Sequence, residues 1–394
     1  MHQSSDAQPP PPPGAGARRS RRHLLHRGLR SRPGRAALTL SGVAASALLV
    51  LVLLAAYRGL GASVASYTGQ PDIDLWVGPQ GVDNLIRSSA MLLPEQISDV
   101  QEIEGLRAEP LVRGFVPVEG APDEDGKPRS MLLLAIGYRI PDGLGGPPQV
   151  AEGQRPAGPQ EVALDRAAAY RLGLKVGDEM KVGGQTVKLV GLTRETNLLS
   201  TQLLFCDVAA LQQAMGLEGR ASFVAVRVED GRDPKEVARQ IEEETPGGAA
   251  WERQVFVENS VREITTGIVP LLFLIAGLGA AMAAVLVALL VNGLIEERRP
   301  EIGVLLAMGT SAFAVGGAVL CHILTLVIIG ALTGTALALG LDAALDRWVP
   351  TIELASAPSD CLVAALLFSV SGTLAALFPV AMLSRIDPLE AFRS

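Results

Sequence analysis

Four long runs of apolar residues divide this chain, and no purely soluble fold accommodates them. The first extends from about Ala36 to Ala56 and holds Leu48-Leu49-Val50-Leu51-Val52-Leu53-Leu54-Ala55-Ala56 without a single charge. The others cover roughly Ile268 to Leu294, Ala312 to Leu341 and Cys361 to Leu383. A helix of roughly 20 apolar residues, rising 1.5 Å each, crosses a ~30 Å hydrocarbon core. Each run meets that length, so the sequence predicts four membrane spans. Hydrophobic residues reach 48% and charged ones only 19%, and most of the excess lies in the four runs. All four mix Gly and Ala with Leu and Val. Small residues let helices approach closely in lipid, where no hydrophobic force drives them together. A general alanine bias is the other reading of the same composition. A cleaved signal peptide is the alternative for the first run, because Ala62-Ser63-Val64-Ala65 resembles a cleavage site. The apolar core is longer than the usual ~7–15 residues of such a signal, which favours a retained anchor.

Between the first and second runs lie residues 61–263, which read as soluble. Asp72 to Val77 and Phe223 to Val228 alternate like strands, and Met131 to Ile136 is a short buried-strand pattern. Pro94 to Glu104 and Asp233 to Glu244 read as helices, each with Pro or Asp at its start. Lys181 to Val187 reads as a hairpin around Gly183-Gly184. The expected fold class is an α-helical membrane protein with four transmembrane helices and an external α+β domain inserted between helices 1 and 2. The expected division is a disordered basic tail at 1–35, the first transmembrane helix at 36–60, the external domain at 61–263, helices 2–4 at 264–384 and a tail at 385–394.

Charge sets the expected topology. Arg18, Arg19, Arg21, Arg22, Arg27, Arg30, Arg32 and Arg35 face a single acid, Asp6, ahead of the first span. Such a tail reads as a cytoplasmic topology signal or a contact with anionic lipid headgroups. The net charge of -7 argues against a general polyanion partner, so no nucleic acid is expected. The loop between spans two and three carries Arg298 and Arg299, and the C-terminus carries Arg385 and Arg393. The loop between spans three and four holds Asp342, Asp346, Glu353 and Asp360 against Arg347. These agree on cytoplasmic termini and an external 61–263 domain.

Catalytic chemistry finds little support. The outer segment has no histidine, since His2, His23, His26 and His322 all lie elsewhere, and it shows no metal-ligand spacing. Cys206 stands alone there, so no internal disulfide forms in it. His322, beside Cys321 in the third run, reads as a neutral residue bonded to a neighbouring helix, with a haem or metal ligand as the alternative. A phosphate-cradling loop needs G-x-x-x-x-G-K-[ST], and Gly120 to Lys127 has one residue too many and ends in Pro128.

The loop 295–310 is the most informative stretch: Glu296-Glu297-Arg298-Arg299-Pro300-Glu301-Ile302-Gly303-Val304-Leu305-Leu306-Ala307-Met308-Gly309. Pro300 breaks the preceding helix and can open another, and Glu301 suits the positive end of that new helix. Ile302, Leu305, Leu306 and Met308 give an apolar face, and Gly309 a stop. The spacing predicts a short amphipathic helix exposed at the cytoplasmic surface, or an interfacial turn of no special role.

This loop resembles that of the FtsX/MacB/LolC permease superfamily, with its E-R-R-x-E-I-G-x-L-x-A-x-G pattern. Ile386-Asp387-Pro388-Leu389-Glu390-Ala391-Phe392-Arg393 resembles the D-P-x-E-A-L-R terminus of that family, with Phe392 in place of the commoner Leu. Leu29 to Leu40 resembles its Arg-containing lead into the first span. Ala168 to Asp178, followed by Val187 to Gly191, resembles its L-G-L-x-x-G-D…V-x-G segment. Asp74 to Asn84 resembles the DevC-like branch. The resemblance implies a non-catalytic permease subunit of an ABC transporter in the bacterial inner membrane. It implies a dimer of this chain and a cytoplasmic ABC ATPase that binds the ATP, with Glu297, Arg298, Glu301 and Gly303 at the ATPase-coupling site. Such a complex exports or extracts a hydrophobic or amphiphilic substrate by mechanotransmission, with a periplasmic adaptor as a further partner. The alternative is an FtsX-like regulator that activates an external cell-wall hydrolase without transport. Unlike MacB, which carries its own ATPase, this sequence is expected to need a partner chain.

Overall fold

The computed structural model describes residues 33–86, 90–198, 201–229, 231–308, 310–348 and 357–382. The basic tail up to Arg32, Gly309, Glu353, Arg385 and the terminal motif at 386–393 lie outside the described residues. Two compact units emerge. One is built from residues 33–53, 273–340 and 357–382, the other from 54–272 and 341–348.

Four helices are long and apolar enough to cross a membrane: α1 (Pro33–Thr68), α6 (Arg253–Glu297), α8 (Ala312–Trp348) and α9 (Pro358–Met382). In the membrane unit, glycines stand where these helices touch. A Cβ added at Gly334 of α8 would fall 2.6 Å from the Ala44 carbonyl oxygen and 2.8 Å from Ala47 Cβ on α1. At Gly330, one turn earlier, it would fall 2.8 Å from the Val43 side chain. The sequence Gly330-x-x-x-Gly334 therefore seats α8 against α1, as small residues do where backbones must approach in lipid. Gly372 of α9 meets Val327 of α8, and Gly42 of α1 meets Leu286 of α6. These contacts give the small residues a specific packing role beyond compositional bias. Hydroxyls in the spans bond back along their own helices, Thr333 to the Ile329 carbonyl and Thr373 to that of Ser369.

The outer unit is a ten-stranded mixed sheet with short helices on it. Its strands are β1 (Leu75–Pro79), β2 (Leu106–Pro122), β3 (Pro128–Tyr138), β4 (Val150–Gly153), β5 (Glu161–Asp165), β6 (Glu179–Val182), β7 (Gln185–Thr193), β8 (Leu203–Asp207), β9 (Phe223–Val228) and β10 (Gly248–Glu252). The main path runs β10-β1-β9-β2-β3-β8-β5-β7-β4, with β6 pairing β2 and β7. β2 is the bridge: residues 106–111 pair antiparallel with β9, and residues 112–119 with β3. Helices α2 (Pro94–Glu102) and α5 (Pro234–Glu244) share an apolar core with β1, β9 and β10. Helices α3 (Arg166–Leu172) and α4 (Val208–Met215) do the same for the other half.

The local grammar accounts for these elements. In α5, Asp233 accepts the Lys235 N–H, Pro234 opens the helix, and Val237 and Ile241, one turn apart, are buried. Asp165 and Asp207 cap α3 and α4 in the same way. The β6–β7 hairpin turns through Gly183 and Gly184 at φ of 56° and 85°, which side chains with a Cβ rarely adopt. The strands at β1, β3 and β9, the helices at α2 and α5, and this hairpin all stand where the sequence pattern places them.

The boundaries differ from the hydropathy reading. α1 does not stop near Leu60 but continues to Thr68, and α6 begins at Arg253, well ahead of the second apolar run. The first turns of α6, with Arg253, Glu258, Arg262 and Glu263, are too charged for a hydropathy window, whereas the last turns of α1, residues 61–68, carry no charge; both extensions pack against the outer core. Val64 and Tyr67 of α1 and Phe256 of α6 are fully buried there with Trp76, Phe205 and Phe223. The candidate cleavage site Ala62–Ala65 lies inside continuous helix, with Ser63 and Val64 buried.

Candidate functional site

The predicted coupling loop is a helix, α7 (Arg299–Ala307), joined to α6 through Arg298. The Arg298 N–H donates to the Leu294 and Ile295 carbonyls and ends α6, while its own carbonyl accepts the Ile302 N–H and begins α7. Pro300, in the first turn, donates no hydrogen bond and needs none there. Glu301 is also in the first turn, where its charge faces the positive end of the helix.

The four singled-out residues do not share one face. Glu297 and Glu301 are exposed, Arg298 is half-buried, and Gly303 is buried beside Ile302. The expectation of a loop exposed along its length is corrected here. Ile302 and Gly303 form the buried stripe of α7. The outward stripe is Pro300, Glu301, Val304, Ala307 and Met308, spaced at three and four residues. Met308, grouped with Ile302 on one apolar face by the sequence, is 70% exposed while Ile302 is buried. Phe313, in the first turn of α8, is 93% exposed.

A second constellation, which the sequence reading did not single out, joins α1 and α6 inside the outer unit. Trp76 stacks on Phe256 at 5.0 Å between ring centroids, and Tyr67 and Phe223 each lie near 6 Å from Trp76. The Trp76 indole N–H donates to the Thr68 carbonyl at 2.9 Å, and the Tyr67 hydroxyl to the Gly145 carbonyl at 3.0 Å. Arg253, the first residue of α6, donates from Nη1 to the carbonyls of Pro71 and Ile73 at 3.1 and 3.2 Å. Its backbone N–H donates to the Asp74 carbonyl at 2.9 Å. One arginine thus holds the start of α6 to the turn that ends α1. Each buried aromatic contributes roughly 1.5–3 kcal/mol, and ring pairs roughly 0.5–1.5 kcal/mol more. The 139–146 segment is fixed beside this cluster by buried Glu109, which pairs with Arg107 and Arg139 and accepts the Leu144 N–H at 2.8 Å.

Two other titratable groups of the outer unit are held neutral by burial. Cys206 is a buried free thiol, pushed up to about 12 chiefly by burial, with Asp207 adding to the shift. Burial likewise raises Tyr138 to about 12. His322 lies half-buried on α8, and among the described residues no group of His, Cys, Asp and Glu could hold a metal ion.

The fold and the loop helix find their counterpart among known families. The MacB-like periplasmic core domain matches residues 36–244, and the FtsX-like permease C-terminal domain matches residues 273–388. The chain belongs to the ABC transporter permeases that combine these two domains. It is therefore a multi-pass membrane protein whose outer domain is external. It is 25% identical over 254 residues to the macrolide export ATP-binding/permease protein MacB of Agrobacterium fabrum, covering 59% of this chain and 38% of that protein. An uncharacterised ABC transporter permease of Mycobacterium bovis is 25% identical over 258 residues, covering 65% of this chain and 68% of the relative. The extracellular domain of the transporter YknZ from Gram-positive bacteria aligns over 46% of this chain and 99% of its own, at 16% identity and a TM-score of 0.33. The periplasmic region of MacB from Actinobacillus actinomycetemcomitans aligns over 48% of this chain and 92% of its own, at 9% identity and a TM-score of 0.37.

Proposed function

We propose that this chain is the non-catalytic membrane subunit of an ATP-driven export complex, and that α7 is where a separate cytoplasmic ATPase docks. The observation that carries the reading is the outward stripe of α7, where Glu301, Val304 and Met308 stand exposed near an almost fully exposed Phe313. An apolar stripe beside charge is the surface expected of a helix that seats in a partner's groove. The membership in the permease family supports an ABC ATPase as that partner, and ATP is then bound by the partner rather than by this chain. The assembly is read as a pair of these chains in the bacterial cytoplasmic membrane, with both termini cytoplasmic. A hydrophobic or amphiphilic substrate is moved by mechanotransmission, with α6 as the continuous link between α7 and the outer domain.

Glu301→Lys and Met308→Asp test this reading. Both side chains are exposed, so expression and membrane insertion persist. Reversing the charge at Glu301 removes roughly 0.3–1 kcal/mol of helix-terminus interaction and alters the docking face. Co-purification with the ATPase, and stimulation of its activity by the permease, should fall in both variants. If both bind and stimulate the ATPase as the unaltered chain does, α7 is not the coupling element.

A further inference from the structure

Arg113, on β2, is a cation without a carboxylate partner among the described residues. Its Nη1 donates to the Ile86 carbonyl at 3.2 Å, and its guanidinium lies 5.9 Å from the Phe223 ring centroid. Nε and Nη2 are shielded from water and have no hydrogen-bond partner among the described residues. It forms no salt bridge among the described residues, and burial alone lowers it to about 10, so it remains charged at neutral pH. A buried cation with idle donors costs stability unless something answers it. The idle pair is specific. Nε and Nη2 share one edge of the planar guanidinium, the edge that grips an oxyanion through two parallel N–H···O bonds.

The same face of the sheet continues outward as apolar surface. Residues two apart on a strand share a face, so Arg113, Phe115 and Pro117 form one row. Their antiparallel partners are Ile136, Leu134 and Leu132. Leu134 and Ile136 belong to the buried core, but Phe115 is 54% exposed, Leu132 is 58% exposed, and Pro117 is exposed between them. From Arg113 to Pro117 the row is about 14 Å long, at ~3.4 Å per residue. A polar anchor stands at one end of a short apolar track.

We propose that this edge and track form a binding site for a single-chain amphiphile with one carboxylate head, of the fatty-acid type. The head pairs with Nε and Nη2 of Arg113, and the chain lies along Phe115, Pro117 and Leu132. The Arg113 side chain as a whole is half-buried, and binding requires the guanidinium to turn its shielded Nε and Nη2 edge outward. A single guanidinium neutralises a monoanionic carboxylate but not a phosphate monoester, which carries about −1.5 to −2. Three side chains also fall well short of the ~800 Å² per partner of a stable protein interface. Binding here needs no ATPase, so it stands or falls apart from the docking role of α7.

The test uses the full chain in lipid nanodiscs without ATPase, a photoreactive laurate analogue, and peptide mapping of the adducts. Saturable labelling is expected on the peptides bearing Phe115 and Leu132. Unlabelled laurate should compete, and dodecanol should compete about tenfold or more less well, as loss of a charge-assisted pair requires. Arg113→Gln and Arg113→Lys should both weaken labelling, the latter because it keeps the charge but loses the fork. Phe115→Ser and Leu132→Ser, at exposed positions, should weaken it with thermal unfolding unchanged. Labelling that survives Arg113→Gln, or adducts confined to the membrane helices, would overturn the site. Equal competition by dodecyl phosphate would overturn the carboxylate head. A change of oligomeric state in Phe115→Ser, without laurate labelling of the parent, would make this face a contact between copies and overturn the proposal.

Discussion

Two glycines of α8 receive the same substitution with opposite expected results. Alanine at Gly334 puts its Cβ 2.6 Å from the Ala44 carbonyl oxygen, 2.8 Å from Ala47 Cβ and 3.2 Å from the Leu48 nitrogen. Two of these three obstacles are backbone atoms, which cannot rotate aside, so α1 and α8 must separate. Overpacking of this kind costs roughly 1–3 kcal/mol. Gly→Ala within a helix returns up to about 1 kcal/mol through lower backbone entropy. With the full gain subtracted, the net expectation at Gly334 is a loss of up to about 2 kcal/mol. Gly340 lies in the same helix with nothing within 4 Å of its added Cβ, so only the favourable effect remains. Unfolding of the purified protein by sodium dodecyl sulfate, followed by helical circular dichroism, measures both. Gly334→Ala should lower the midpoint and Gly340→Ala should hold or raise it. If the two shift together, or Gly334→Ala is the more stable, the close seating of α8 on α1 is wrong.

Three further outcomes follow from named contacts. Arg253→Gln should destabilise the outer unit by about 1.5–3 kcal/mol, because it removes charge-assisted donors from the Pro71 and Ile73 carbonyls; thermal unfolding followed by Trp fluorescence reads this. Gly303→Trp should lower the stability of the membrane unit more than Glu301→Lys, which loses only the roughly 0.3–1 kcal/mol helix-terminus interaction, since Gly303 is buried and Glu301 exposed; comparative melting in detergent separates them. The Cys206 thiol should resist alkylation until the outer unit unfolds, because it is buried and held at about 12. Its raised value also means that its contribution to stability, complete below about 9, is lost as pH rises toward 12, which denaturant midpoints across that interval check.

The legible parts of this fold were those with local signatures. Apolar length marked the four spans, alternation marked β1 and β9, a short apolar run marked β3, and Asp233-Pro234 marked the start of α5. The loop helix was legible for the same reason, since Pro300 and Glu301 mark its first turn. Its orientation was not. Met308 and Ile302 look alike in a list of apolar residues, but only tertiary packing decides that Ile302 turns inward and Met308 outward. The ends of α1 and α6 were hidden because their last turns draw stability from partners far away in sequence. Tyr67 meets Gly145 and Arg253 meets Pro71, and no local pattern announces such pairs. Arg113 reads as an ordinary strand arginine until its described neighbours are seen to offer it no salt bridge.

The hidden helix ends bear on mechanism more than the visible spans do. A domain joined to membrane helices by loops could reorient without regard to them. Here α1 enters the outer core as helix through Val64 and Tyr67, and α6 leaves it as helix from Arg253 directly after β10. The Trp76–Phe256 stack and the Arg253 carbonyl contacts tie those two helix ends to each other and to β1. Within the outer unit, any shift of the end of α1 against the start of α6 must therefore break buried aromatic packing. Under the coupling reading proposed for α7, this junction and not the sheet surface is where motion would be converted. Substitutions at Arg253 or Trp76 would then reduce transport more than they reduce ATPase docking.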